Sequence, residues 1–274
     1  MHKMQSEKKY SPVVKRHIVA ALFLPVFIAY IYYLPPQPYF LALLIFVSLI
    51  AMWEFYVMYK VSARLYVPAV LTGGILFYVS CSYPAYFPEC FFISLFLLLL
   101  LRLFLKKSPS GCMSEIGPVW IGFFYISGFL SFQWLLRTET LGMEYIFLLY
   151  TSVWIADSGA FYIGTYFGRN KLYPSISPNK TWEGAFGSLL GGALAALIIR
   201  AVFNIPGLSV TGAAAIGAVM GISALLGDLI ESMFKRDAGV KDSSVFIPGH
   251  GGVLDKLDGP LVAGPVLYLI VRYF

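Results

Sequence analysis

The chain has 274 residues, of which 59% are apolar and only 12% charged, against roughly 25% charged in an ordinary soluble domain. So few charges cannot cover the surface of a soluble fold, which excludes a water-soluble enzyme, and the apolar content excludes intrinsic disorder. The net charge of +6 does not gather into a dense arm or stripe, so nucleic acid is not an expected partner.

The basic segment 1–17 precedes a long apolar run with no small-residue cleavage site. That pattern reads as a retained membrane segment and not a signal peptide. Apolar runs close to the length needed to cross a bilayer core then fall at about 17–34, 39–58, 65–80, 86–105, 116–136, 143–166, 184–203, 208–231 and 251–272. The third is short and the ninth carries charge at its start. The expected fold is an all-α integral membrane protein, a polytopic bundle of about nine transmembrane helices.

The loops set the direction. With a cytoplasmic N-terminus, seventeen lysines and arginines fall inside, and only Arg137, Arg200 and Arg272 fall outside. This is a strong positive-inside bias. Tyrosines near helix ends, such as Tyr32, Tyr33 and Tyr39, read as an interfacial belt. Cys81, Cys90 and Cys112 have no metal spacing, and read as inert thiols or, for Cys81 and Cys90, as a bridge.

The two halves differ in kind. No aspartate precedes residue 157, whereas six aspartates and two glutamates follow from there on. Ionisable groups in membrane helices are costly and usually face a partner or a watery cavity. The reading is therefore a transmembrane scaffold over 1–150 and a catalytic transmembrane region with cytoplasmic loops over 151–274.

Three clusters in the second half can carry chemistry. In the first, Asp157 sits among the small residues Ala156, Ser158, Gly159 and Ala160, either as a buried partner for a basic residue or as part of a site. The second runs from Ser175 to Gly184, where Ser177, Lys180 and Thr181 precede a helix start. A helix N-terminus is a natural place for an anion. Thr181 and Glu183 also suit a helix cap, but Lys180 has no capping role.

The third and largest cluster runs from Gly227 to Gly259. Asp228, Glu231 and Ser232 share one helical face. Lys235, Arg236, Lys241 and Asp242 follow, then His250, Gly251 and Gly252, then Asp255, Lys256 and Asp258. Two carboxylate-bearing helix ends joined by a basic, Gly-rich loop suit a divalent cation with phosphates. Carboxylates bind Mg²⁺ together with substrate phosphates, Lys and Arg neutralise the remaining oxygens, and glycines let backbone N–H groups approach an anion. His250 alone reads either as a hydrogen-bonding loop residue or as a chemical group. Walker A, His-Glu-x-x-His and Gly-x-Ser-x-Gly patterns are missing from the sequence.

The run from Ser232 to Asp258 resembles the signature of phosphatidate cytidylyltransferases, also called CDP-diacylglycerol synthases. Ser232, Lys235, Arg236, Lys241, Asp242, His250, Gly251, Gly252, Asp255 and Asp258 stand at the family's spacing. The stretch from Ser177 to Gly184 and Asp157 with its small neighbours also match. One departure is Lys256, where the signature usually has Arg; the charge survives but the bidentate fork does not. The resemblance implies the reaction CTP + phosphatidate → CDP-diacylglycerol + pyrophosphate, in phospholipid biosynthesis. It implies Mg²⁺ in a two-metal arrangement whose second ion is unidentified, and it leaves a homodimer open.

By that resemblance Asp228 and Asp255 are metal ligands, with Asp258 and Asp242 as neighbouring candidates. Lys180, Lys235, Arg236 and Lys241 hold the triphosphate or the lipid phosphate, His250 positions phosphate or leaving pyrophosphate, and Lys256 contacts phosphate. Ser177, Thr181, Gly251 and Gly252 complete the substrate-binding set. A bacterial plasma membrane with a cytoplasmic active site is the expected location, because no transit peptide is evident.

Two other classes fit less well. CDP-alcohol phosphotransferases begin their motif Asp-x-x-Asp-Gly, as Asp255–Gly259 does, but need further aspartates downstream, and none follows Asp258. A secondary transporter places its carboxylates near the midplane, on broken helices of related repeats. Here they gather at one face of one half.

The charge bias makes topology testable by reporter fusion. Reporters after Lys107 or within 168–183 should read cytoplasmic, and one in the 81–90 loop external. A reporter in the 232–250 loop that reads external would overturn the orientation.

Overall fold

The computed structural model describes residues 24–106, 108–246 and 251–273. Its helices are α1 (Leu24–Tyr33), α2 (Leu41–Met58), α3 (Ala63–Ser82), α4 (Phe87–Leu105), α5 (Cys112–Gly122), α6 (Phe129–Thr138), α7 (Gly142–Phe167), α8 (Trp182–Phe203), α9 (Val210–Asp237) and α10 (Leu254–Tyr273). Seven stretches among the described residues are long and apolar enough to cross a membrane, so this is a multi-pass membrane protein. Each coincides with a predicted span. The first predicted span is represented by α1, its residues 17–23 lying outside the described residues. The ninth corresponds in sequence to the twenty-residue α10, which has Asp255, Lys256 and Asp258 near its start. It is not among the seven, so seven of the nine predicted spans are found among the described residues.

Two details depart from the sequence reading. The fifth predicted span is continuous from Cys112 to Thr138 but is interrupted by a π-helical turn at Phe123–Gly128. Such turns re-aim side chains and often sit at functional sites; this one buries Tyr125. The fold is also not wholly α-helical. Residues Lys171–Tyr173 (β1) and Ser177–Thr181 (β2) form an antiparallel ribbon, with Lys171 opposite Thr181 and Tyr173 opposite Ser177. Polar and Pro-containing, these strands lack the apolar alternation that marks a strand in sequence.

The second half packs through small residues. A Cβ at Gly192 of α8 would fall on the backbone oxygen of Gly217 of α9, and one at Gly217 on that of Gly192. Glycine at both positions lets the helix backbones touch, which is how membrane helices associate without an aqueous hydrophobic drive. Ser188 reinforces the pair by donating to the Gly221 carbonyl at 2.9 Å.

The first half closes around a core that includes Met52, Phe55, Leu65, Leu76, Ile126 and Ile146, all nearly or wholly buried. Some of its polar groups are paired across helices. Ser48 and Ser127 lie 2.8 Å apart. Gln133 accepts from Tyr150 at 2.8 Å and donates to the Pro260 carbonyl at 3.2 Å, joining α6, α7 and α10. Cys81, Cys90 and Cys112 are free thiols, so the Cys81–Cys90 bridge does not form.

Candidate active site

Asp228, Glu231, Ser232 and Lys235 recur at three- and four-residue intervals on α9 and therefore line one face. That face meets the start of α10. The Lys235 ammonium donates to Glu231 and to Asp255, each at 2.7 Å. The side chains of Glu231, Asp255 and Lys235 are 1%, 9% and 11% exposed, so this is a buried ion triad. Close approach needs Gly227, because a Cβ there would strike the backbone oxygen of Asp258.

Asp255 is densely bonded. One oxygen takes Lys235; the other accepts from the Ser243 N–H at 3.0 Å, the Ser243 hydroxyl at 2.9 Å and the Gly252 N–H at 2.7 Å. Asp255 thus ties the 243–252 segment to α9, and a cation bound to it would share Oδ1 with the Lys235 ammonium. Gly251, at φ +82°, makes the turn that leads into α10.

Asp228 is more open. Lys180, carried to it by β2, lies 2.7 Å away, and the Ser232 hydroxyl donates at 3.1 Å. Asp258 accepts from the Gly259 N–H at 2.8 Å. Asp157 on α7 lies within electrostatic range of Asp228, Lys180, Lys256 and Asp258. Acidic groups from α7, α9 and α10 thus converge, together with Lys180 from the ribbon.

The remaining expected residues divide. Thr181 is an N-cap, accepting from the Gly184 N–H at 3.1 Å, so its hydroxyl is occupied by the helix start. Glu183 turns back onto the ribbon and accepts from the N–H groups of Arg169 and Asn170. Arg236 is exposed and donates to the carbonyls of Ile176 and Val240, which places it beside Ser177. Lys241, Asp242 and Lys256 are exposed, and their side chains make no hydrogen bond or ion pair among the described residues. His250 lies outside the described residues.

Four contributors carry no motif. Glu54 of α2 is wholly buried against the 243–254 segment. Ser243 and Ser244 contact it. Tyr125, aimed by the π-turn, is buried within electrostatic range of Glu231, Asp258 and Asp228. Glu54 had a readable signal, being the one charged residue in the predicted span 39–58; the π-turn had none.

No three His, Cys, Asp or Glu side chains are gathered as a ready-made metal cage among the described residues. Mg²⁺, however, commonly takes one or two carboxylates and fills its shell with water and substrate phosphates. Asp228 and Asp258 offer such oxygens, and Glu231 keeps a buried oxygen, Oε1, without a hydrogen-bond partner. The residues fit a hard cation that arrives with a phosphate ligand.

Residues 14–274 match the cytidylyltransferase family. The chain belongs to that family. A phosphatidate cytidylyltransferase of Bacillus subtilis is 36% identical over 186 residues, covering 66% of this chain and 68% of that protein. One from Staphylococcus epidermidis is 36% identical over 160 residues, 58% of each chain. One from Haemophilus influenzae reaches 46% over 124 residues, 44% of this chain and 42% of that protein. The chain thus spans just over half the length of the staphylococcal relative.

In this family member the two acidic anchors should respond differently to neutralisation. Asp228→Asn breaks a half-open pair worth about 0–1 kcal/mol, so the detergent melting temperature should fall by no more than a few degrees. Asp255→Asn strips a buried ammonium of one partner, at a cost of about 3 kcal/mol or more, and should lower it by roughly 6–10 °C. Equal shifts would contradict the division between an open and a structural carboxylate.

Proposed function

We propose that the protein is a CTP:phosphatidate cytidylyltransferase that makes CDP-diacylglycerol in phospholipid biosynthesis. The observation that carries this reading is the α9–α10 junction, where carboxylates and lysines crowd together at the ends of membrane-spanning helices. A lipid can leave its acyl chains in the bilayer there while its phosphate meets a water-soluble nucleotide. The names of the bacterial relatives support the same reading, which puts the site on the cytoplasmic side of a bacterial plasma membrane, where CTP is.

The chemistry asks little of a base. A phosphatidate phosphate oxygen, already anionic at neutral pH, attacks the α-phosphorus of CTP. The new P–O bond forms as the bond from that phosphorus to the β-phosphate bridging oxygen breaks, and pyrophosphate leaves with the electron pair. The barrier is the approach of one polyanion to another, so positioning and charge neutralisation dominate.

Lys180 and Lys256 lie near the acidic cluster, and with Arg236 and Lys241 they are the groups able to hold phosphate oxygens. Lys180 can exchange Asp228 for a phosphate, because both sit at a half-open position. Asp228 and Asp258 would hold Mg²⁺, which would supply charge neutralisation for the phosphates. Lys235 stays with its two carboxylates and keeps the junction closed. His250 retains its expected role on sequence grounds.

Purified protein with phosphatidate, Mg²⁺ and CTP labelled at the α-phosphate tests the reading; the label should enter the lipid. Uptake of CTP into proteoliposomes without lipid labelling would favour a transporter instead. Lys256→Met belongs in the same assay. Because Lys256 is exposed and pairs with neither Asp255 nor Asp258, the variant should melt as the parent does. It should lose about tenfold or more in kcat/KM, the value of one charge-assisted contact. Full activity would remove Lys256 from the phosphate site.

A further inference from the structure

Glu54 is wholly buried near the end of a membrane-spanning helix. Within hydrogen-bond reach it has only neutral donors, and they come from a segment about two hundred residues away. One carboxylate oxygen accepts from the Ser244 hydroxyl at 2.6 Å and the Val253 N–H at 3.0 Å. The other accepts from the Leu254 N–H at 2.7 Å and the Ser243 hydroxyl at 3.3 Å. Leu254 is the first residue of α10, so Glu54 caps that helix from another element and fills the role usually taken by the residue just before it.

A buried carboxylate is costly to keep unless donors surround it. Four donors do so here, and they grip the segment on both sides of residues 247–250. Ser243 also donates to Asp255, so the Glu54 network and the Lys235 triad share a residue. Gly252 is required between them, because a Cβ there would meet both the Ser243 hydroxyl and the Glu54 carboxylate.

We propose that Glu54 is a positioning residue for cytidylyl transfer. Through Ser243, Ser244 and the first turn of α10, it sets where Asp255, Lys256 and Asp258 stand relative to α9. It touches no substrate. The inference rests on the reading given under Proposed function and extends the site into the half of the chain that carries no motif.

The test compares Glu54→Ala, Glu54→Gln and Ser244→Ala with Glu115→Gln. Glu115 is another glutamate of the first half, held by Arg102 and Lys106 away from the 243–254 segment. Folded, monodisperse protein is assayed well below every melting temperature, so that lost stability does not pass for lost rate. Glu54→Ala should lose about a hundredfold in kcat, the scale of a misplacement near 1 Å, while KM for CTP changes by less than about threefold. Glu54→Gln, whose amide oxygen can still accept from the α10 N–H groups, should recover part of that loss. Ser244→Ala should cost several-fold and leave folding intact, which covers the case in which Glu54→Ala does not fold.

Amide hydrogen exchange over 251–255 reads the clamp without the reaction, and should rise in the Glu54 and Ser244 variants but not in Glu115→Gln. Parental kcat in folded Glu54→Ala, or in Glu54→Gln and Ser244→Ala together, overturns the proposal. So does an equal kcat loss in Glu115→Gln. A parent protein that transfers no cytidylyl group overturns the function reading itself, a different result from an active parent with indifferent variants.

Discussion

The ammonium of Lys235, buried between Glu231 and Asp255, is the interaction on which the rest of the site depends. It joins the end of α9 to the start of α10, two helices separated in sequence by a polar, Gly-rich segment. A buried ion pair of this kind adds little net stability over an apolar contact, yet removing one member leaves an uncompensated charge at a cost of about 3–5 kcal/mol. Its value is therefore geometric. With Lys235 in place, Asp255 can point one oxygen at α9 and hold Ser243 and Gly252 with the other. Gly227 removes the side chain that would keep the helices apart.

The division of labour among charges follows from this constraint. Lys235 and Asp255 are committed to each other and to the loop. Asp228 and Lys180 form a half-open pair that can trade partners, and Lys256 is exposed. An acidic cluster repels a triphosphate unless cations intervene. For the reaction proposed above, lysines, arginine and a divalent cation would have to outweigh the carboxylates as substrate enters. The membrane would supply the other constraint, since a lipid phosphate would reach the cluster only where the helices end.

Much of this was legible in the amino-acid sequence, for physical reasons. Apolar runs of bilayer length mark the spanning helices because lipid leaves the backbone no partner but itself. The carboxylates of α9 and α10 stand out because helical spacing puts them on common faces and because charge is rare in such a chain. Other features depend on contacts that only the folded chain creates. The pairing of Lys235 with Asp255 crosses two elements, and nothing in the spacing tells that pair from Lys256 with Asp255. The β1–β2 ribbon is short and mostly polar and so resembles a loop. Tyr125 reaches the cluster through a π-turn that leaves no periodic trace. Glu54 was visible as a lone charge in an apolar helix, but its partners were not, and 1–150 read as scaffold because its acids form no pattern.

The central claim is that Lys235 and Asp255 act as one unit that closes the α9–α10 junction. A double-mutant cycle measures this directly, with Lys235→Met, Asp255→Asn and their combination compared by melting temperature and kcat in one detergent. If the pair is the tie, Lys235→Met alone strands two buried carboxylates, and adding Asp255→Asn relieves one of them. The combined loss should then fall short of the sum of the single losses by an amount equivalent to about 1 kcal/mol or more. Losses that simply add in both measurements would show that the two residues act independently and would contradict the account.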